Sequence, residues 1–323
     1  MKEPLIWIID EEWGDYEVEH DILPKEYPGC TIRRSTYDYK ADLEEFGYRA
    51  DLILAQVYAS IPKETIDRLE NCKGIAVYGG GYDRIDIKAA KEKGIPVTNV
   101  QGYCAEDIAD YVMAAMYRFN KKLDFFNDNL KNGLWGAGAV DRPIHRLSNC
   151  TLAVVGCGRI GQTVAARAKA LGMRVVGYDP HASVETLEKV GIEPVSLEEG
   201  LAQADFVTVH VKYTPATHHL LSMQHFSQMK KSAVLINSAR GGILVEDDLI
   251  AAVDQGVIAG AVVDVITHEP PAPDEKIFGH ENLIVTPHVS YISVESYQEL
   301  KMRTLRNAMK MYRGERPDDL VNG

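Results

Sequence analysis

Three glycines, at positions 156, 158 and 161, and an aspartate at 179 are placed to hold a dinucleotide. The stretch reads Val154-Val155-Gly156-Cys157-Gly158-Arg159-Ile160-Gly161; an alanine-rich amphipathic segment follows, and a second apolar run, Arg174 to Tyr178, ends at Asp179. Gly156 permits a tight turn, Gly158 lets a pyrophosphate approach the backbone, and Gly161 lets the helix pack close to the strand. That helix begins at Arg159 and Ile160, and its N-terminus offers unpaired N–H groups and a positive dipole end. A carboxylate about twenty residues past the glycines is placed for the ribose hydroxyls. It would repel a 2′-phosphate, and no arginine follows directly in Asp179-Pro180-His181, so NAD is expected rather than NADP.

Three residues further along suit proton and hydride chemistry on a carbonyl, which needs a cation, an acid and a group that keeps the acid charged. Arg240 follows the apolar run Val234 to Asn237, Glu269 follows Ala259 to Val265 by a short loop, and His288 ends Leu283 to Pro287. Ligands of open parallel sheets bind outside the carboxyl ends of the strands, where all three can meet. Imidazole titrates near neutrality and is the natural proton carrier. A carboxylate against it favours the charged form and fixes its orientation. A guanidinium fork suits the carboxylate of a 2-keto or 2-hydroxy acid.

Strands and helices alternate along the chain to position these groups. Strands are expected at Leu5 to Ile9, Leu52 to Val57, Gly74 to Tyr78 and Pro96 to Val100, with helices such as Lys63 to Glu70 and Ile87 to Lys93 between them. A second series runs Leu152 to Val155, Arg174 to Tyr178, Phe206 to Val211, Val234 to Asn237, Ala259 to Val265 and Leu283 to Thr286. Such alternation implies βαβ units. The expected class is therefore α/β, with two doubly wound parallel-sheet, Rossmann-like domains. Long helices are expected at about Glu106 to Leu130 and Ser293 to Tyr312, the second too long for a simple cap. A first domain discontinuous in sequence explains both: residues 1–101 with 290–323 form a substrate domain, and 102–289 an NAD-binding domain. Asn132 to Asn149 is glycine-rich and irregular, either an arm over a partner subunit or a plain loop.

The composition of the 323 residues excludes other classes. A net charge of −12 argues against nucleic acid or an anionic membrane as partner. No apolar run approaches membrane-spanning length, and the chain leads into a strand-like run rather than a signal peptide. Five scattered cysteines (Cys30, Cys72, Cys104, Cys150, Cys157) without CxxC spacing read as reduced thiols of a cytoplasmic protein, with no metal site. Cys157, inside the glycine turn, is a small side chain that fits there rather than a redox centre.

With these residues in view the chain resembles the D-isomer-specific 2-hydroxyacid dehydrogenases over nearly its full length. The matching motifs are Asn237-Ser238-Ala239-Arg240-Gly241-Gly242, Gly260 to Asp264 followed by His268-Glu269-Pro270, Thr286-Pro287-His288, and Gly79-Gly80-Gly81-Tyr82-Asp83-Arg84-Ile85-Asp86. The resemblance implies hydride transfer between NAD and C2 of a small D-2-hydroxy acid. It implies Arg240 as substrate binder, Glu269 and His288 as the acid–base pair, and Asp264 as partner of the nicotinamide amide. It also implies His210, Val211, Thr217, Ser238 and Ala239 as cofactor contacts, N–H groups at Gly80 and Gly81 as the seat of the substrate carboxylate, and a homodimer built through the NAD domain. Met113 to Arg118 and Arg174 to Pro180 are similar to the C-terminal-binding-protein branch, which keeps a dinucleotide-sensing corepressor as the alternative. Formate dehydrogenases are similar in scaffold but carry Gln where Glu269 stands.

Several positions depart from the family pattern. Val77 stands where a basic residue is common, which disfavours phosphorylated substrates. His210-Val211-Lys212 stands for His-x-Pro, which loosens that loop; Lys212 either meets the dinucleotide phosphates or is simply solvated. The family's acidic residue in the first long helix falls at Asp110. Tyr58 either lines the substrate pocket or packs ordinarily. The substrate itself is left to loops such as Val57 to Ser60, with Arg142 or His145 of a partner.

Overall fold

A computed structural model describes residues 3–140 and 143–323; Arg142, expected as a specificity residue, lies outside them. By contact the chain divides into two units, Met1–Tyr103 with Ser293–Gly323, and Cys104–Ile292.

The first unit alternates β1 (Leu5–Ile9), α1 (Glu17–Glu26), β2 (Thr31–Ser35), α2 (Lys40–Glu45), β3 (Leu52–Gln56), α3 (Lys63–Arg68), β4 (Ile75–Tyr78), α4 (Ile87–Glu92) and β5 (Val97–Thr98). The strands pair in parallel in the order β2-β1-β3-β4-β5. Central strands β3 and β4 are buried along their whole length, as parallel strands covered on both faces must be. The last helix, Val294–Tyr312, packs on β4 and β3. Strand β2 escaped the sequence reading because its Thr-Ile-Arg-Arg-Ser run is an edge, mostly exposed, with no apolar signal.

The second unit begins with α5 (Ala105–Lys121) and α6 (Leu123–Lys131). One helix was expected from Glu106 to Leu130. It breaks at Lys122, whose backbone is left-handed (φ 48°, ψ 45°) and caps α5 by donating its N–H to the Arg118 carbonyl. Then come β6 (Thr151–Val155), α7 (Arg159–Ala170), β7 (Arg174–Tyr178), α8 (Val184–Lys189), β8 (Glu193–Pro194), α9 (Leu197–Gln203), β9 (Phe206–Val209), α10 (Met223–Phe226), β10 (Val234–Asn237), α11 (Glu246–Asp254), β11 (Gly260–Val263) and β12 (Leu283–Val285). The seven strands run parallel in the order β12-β11-β10-β9-β6-β7-β8. The order reverses between β6 and β9, which marks the switch point where doubly wound sheets take their ligands. Apolar clusters cover both faces of the sheet, one including Leu201, Phe226 and Leu249, the other Val112, Met116 and Val164.

Candidate NAD and acid–base site

At the switch point β6 turns at Gly156, where φ is +95°. A Cβ there would lie 2.7 Å from the backbone of His210 and Val211, so only glycine lets the loops after β6 and β9 touch. A Cβ at Gly161 would lie 2.2 Å from the Gly156 carbonyl oxygen, which makes Gly161 the packing glycine of α7. Gly158 has open space on its Cβ side, where a phosphate can reach the first N–H groups of α7. Asp179 stands at the end of β7, its Oδ2 accepting the Cys157 N–H (2.9 Å) and its Oδ1 the His181 N–H (2.9 Å). It thus braces the glycine turn and keeps lone pairs for ribose hydroxyls. Burial, with Asp179's charge adding to it, pushes the Cys157 thiol up to about 12, so it is unreactive.

The loop after β9 carries His210, which burial lowers to about 3 and keeps neutral; its Nε2 lies 2.8 Å from Thr208 Oγ1. Where the family's proline is missing, Thr217 ties the loop instead. Its Oγ1 accepts the Thr214 N–H (2.8 Å) and donates to the Lys212 carbonyl (2.6 Å). Val211 packs on the core and Lys212 is exposed. After β10, Ser238 Oγ is buried with no hydrogen-bond partner among the described residues, an orphan that a bound ligand would satisfy. Open space at Gly158, the N-terminus of α7, the Asp179 carboxylate and this orphan together fit a dinucleotide.

Arg240, Glu269 and His288 come together. Asn237 shapes the loop after β10: its Oδ1 accepts the Ala239 N–H (3.0 Å) and its Nδ2 donates to the Arg240 carbonyl (2.9 Å). A Cβ at Gly241 would lie 2.0 Å from the Ile266 carbonyl carbon, so the loops after β10 and β11 touch there. Glu269 Oε1 accepts the Ile266 N–H (3.1 Å), and Oε2 lies 3.3 Å from His288 Nδ1. Burial pushes the Glu269 carboxyl up. The bond and charge of His288, the Ile266 N–H and the Arg240 charge outweigh that and hold it below the usual range.

Asp264 does something that motif reading missed. It is buried (1% exposed), and its Oδ1 accepts Thr286 Oγ1 (2.5 Å) and the Val289 N–H (2.9 Å), while Oδ2 accepts the Ser290 N–H (2.8 Å). These bonds bracket His288, whose backbone is left-handed (φ 55°). Tyr111 of α5 adds a hydroxyl 2.6 Å from Thr286 Oγ1. Asp110 pairs with Arg167 Nε of α7 at 2.6 Å.

In the first unit, Gly79 follows β4 directly and leads into Gly80 and Gly81. Tyr58 lies beneath the Arg84 guanidinium (5.8 Å to the ring centroid), edge-on to Tyr37, and its carbonyl accepts an Arg84 N–H at 3.2 Å. Val77 is buried in the apolar cluster of that unit.

Residues 113–290 match the model of the D-isomer-specific 2-hydroxyacid dehydrogenase NAD-binding domain. The chain belongs to the D-isomer-specific 2-hydroxyacid dehydrogenase family. Among its relatives, a glyoxylate reductase of Korarchaeum cryptofilum is 35% identical over 276 residues, 84% of this chain and 80% of the relative. A D-3-phosphoglycerate dehydrogenase of Methanocaldococcus jannaschii is 35% identical over 287 residues, 88% of this chain but 54% of the relative, so the chain spans about half of that protein. The crystal structure of an Aquifex aeolicus D-lactate dehydrogenase complexed with NAD and lactic acid superposes with a TM-score of 0.85 at 27% identity, covering 98% of this chain and 99% of that one. The chain has two parallel-sheet α/β units, of which the second is an NAD-binding domain. Among its described residues no helix is long and apolar enough to cross a membrane.

Proposed function

We propose that the protein is an NAD-dependent dehydrogenase that moves a hydride between nicotinamide and C2 of a small D-2-hydroxy acid or 2-keto acid. The observation that carries this reading is the Glu269–His288 pair, 3.3 Å apart, with the Arg240 charge acting on Glu269. When bound, the nicotinamide supplies the hydride to C2 or takes it away. His288 gives a proton to the forming alkoxide and takes it back in reverse. Glu269, at His288 Nδ1, holds the charged imidazole and leaves Nε2 for the substrate oxygen. In the second unit Arg240 is assigned to binding the substrate and polarising its carbonyl; in the first, the N–H groups of Gly80 and Gly81 are assigned to a substrate carboxylate and Tyr58 to the acid's side chain.

The cofactor is assigned to Gly156, Gly158, Arg159, Ile160 and Gly161 for the pyrophosphate and Asp179 for the ribose. His210, Val211, Thr217, Ser238 and Ala239 flank it, and the lone pair left on Asp264 takes the nicotinamide amide. Asp179 favours NAD over NADP. Relatives named glyoxylate reductase, hydroxypyruvate reductase, glycerate dehydrogenase and D-3-phosphoglycerate dehydrogenase support a short acid, and the buried Val77, where a basic residue is common, favours an unphosphorylated one. We assign the substrate role to residues 1–101 and 290–323, the cofactor role to 102–289, and the cytoplasm as location. Trp135 (83% exposed), Leu123 and Leu130, with the apolar groove of Phe126, Leu134, Val140 and Ile144, support a homodimer through this domain.

The test follows NADH absorbance with glyoxylate, hydroxypyruvate, pyruvate and phosphohydroxypyruvate. One acid should be reduced rapidly, and His288→Ala should lower turnover by about a thousandfold while NADH still binds. Near-full activity in that variant would overturn the acid–base assignment. Tight NADH binding without turnover of any acid would move the site to the dinucleotide-sensing role.

A further inference from the structure

The loop after β4 is held from one side by the two residues that follow β5. The Val100 N–H donates to the Gly79 carbonyl at 2.8 Å, and Asn99 Nδ2 donates to the Gly80 carbonyl at 2.7 Å. In a trans peptide unit the C=O and N–H point in opposite directions. Holding the Gly79 carbonyl towards this segment therefore turns the Gly80 N–H away from it. Holding the Gly80 carbonyl turns the Gly81 N–H away in the same sense. Two successive N–H groups facing one side form an anion-binding nest, and among the described residues neither has an acceptor.

We propose that Asn99 is the positioning residue of this nest, setting the Gly80–Gly81 peptide plane so that its N–H meets the substrate carboxylate. The inference rests on the reading of this loop as the carboxylate seat. Asn99 is 1% exposed, so it acts through the peptide and not by touching the ligand. Its own backbone is fixed in turn: its N–H donates to the Asp319 carbonyl (3.3 Å), and Thr98 pairs antiparallel with Leu320. Asn322 Oδ1 accepts the Val97 N–H (2.8 Å), so the segment 319–322 lies along the edge of β5 and steadies it. The two glycines divide the work. Gly79 is required by the fold, since its φ is +148° and a Cβ would lie 2.3 Å from Val57 Cγ1. Gly80 is not, since a Cβ there would meet only the Val100 carbonyl oxygen at 3.7 Å. A glycine that packing does not demand, on an exposed turn, is what close approach of a ligand to the backbone asks for.

The test uses the full chain labelled with 15N-glycine, NADH, and oxamate as a carboxylate probe, with Asn99→Ala and the isosteric Asn99→Asp. In the wild-type protein oxamate should shift the Gly80 and Gly81 amide resonances. In Asn99→Asp an oxygen faces the Gly80 carbonyl oxygen, and oxamate binding should weaken about tenfold or more. The KM of the keto acid should rise with it, while kcat and NADH affinity stay within about twofold. A protonated carboxyl donates where the carboxylate cannot. Burial raises such a carboxyl, so the ratio of variant to wild-type oxamate affinity should recover as pH is lowered and the introduced group takes up its proton. Unchanged oxamate affinity in folded Asn99→Ala and Asn99→Asp would overturn the assignment, as would a fall in NADH affinity and kcat alongside it. Wild-type glycine amides that ignore oxamate would instead refute the carboxylate seat, and the role of Asn99 with it.

Discussion

Glu269 and His288 show how little of a reactive pair lies in the pair itself. A carboxylate this buried would ordinarily be protonated more readily, yet His288, the Ile266 N–H and Arg240 keep it ionised. The sign of the linkage follows. Because its folded pKa lies below 4.5, Glu269 adds stability above that value and loses it as pH falls through the folded pKa. Glu269→Gln should remove that part of the acid dependence of stability, read as denaturation midpoint against pH. In the reducing direction it should lower kcat about a hundredfold while NADH affinity is kept, because the imidazole loses the carboxylate that orients it. An unchanged kcat would mean that Glu269 does not act on the proton carrier.

At the scale of elements, the site is built from loops that touch at backbone distance. The turn after β6 meets the loop after β9 at Gly156, and the loop after β10 meets that after β11 at Gly241. Such contacts hold the groups following separate strands in one arrangement without any long side chain between them. Gly241→Ala places a methyl group 2.0 Å from the Ile266 carbonyl carbon, which must move and take the nearby Glu269 anchor with it. A loss of about 3 kcal/mol or more is expected in urea unfolding, with kcat lowered and NADH affinity kept. A variant as stable as the wild type would show that these loops yield freely. Tyr111, Thr286 and Asp264 do the corresponding work for the His288 loop, linking α5, β12 and β11 by side-chain hydrogen bonds.

The first unit as a whole is tied by charge as well as by its apolar core. Lys301 of the last helix and Glu19 of α1 are both fully buried, their charged atoms 3.3 Å apart. Lys301 Nζ also donates to the Asp15 carbonyl and lies 4.9–5.4 Å from the ring centroids of Trp13, Tyr16 and Tyr297; Tyr78 donates to Glu19 at 2.8 Å. Lys301→Ala leaves Glu19 in the interior without its cation, and should cost about 3–5 kcal/mol in denaturant unfolding. Lys301→Met combined with Glu19→Leu should cost less than the single change, since it removes both charges. A double variant worse than Lys301→Ala would show that the pair stabilises beyond its own desolvation cost.

The sequence by itself determined what depends on neighbouring residues. The Gly156–Gly161 turn, the apolar runs of β1, β7 and β10 and the long last helix are local patterns, because a buried parallel strand needs an unbroken apolar run and a phosphate turn needs its glycines close together. The strands expected at 96–100, 206–211 and 259–265 came out shorter, because the chain leaves the sheet early and spends those residues on loops. Edge strands β2 and β8 carried no such run, and the break at Lys122 is a left-handed residue that no composition announces. Tertiary structure alone decided which polar groups are fastened inside. Asp10 and Glu19 look like part of an acidic surface, yet both are buried and hydrogen-bonded. Asp264 finds its donors at residues 286, 289 and 290, and Asn99 finds the Gly80 carbonyl. The physical reason is common to them all: a buried polar group needs a partner, and that partner is supplied by the fold from a distant part of the chain.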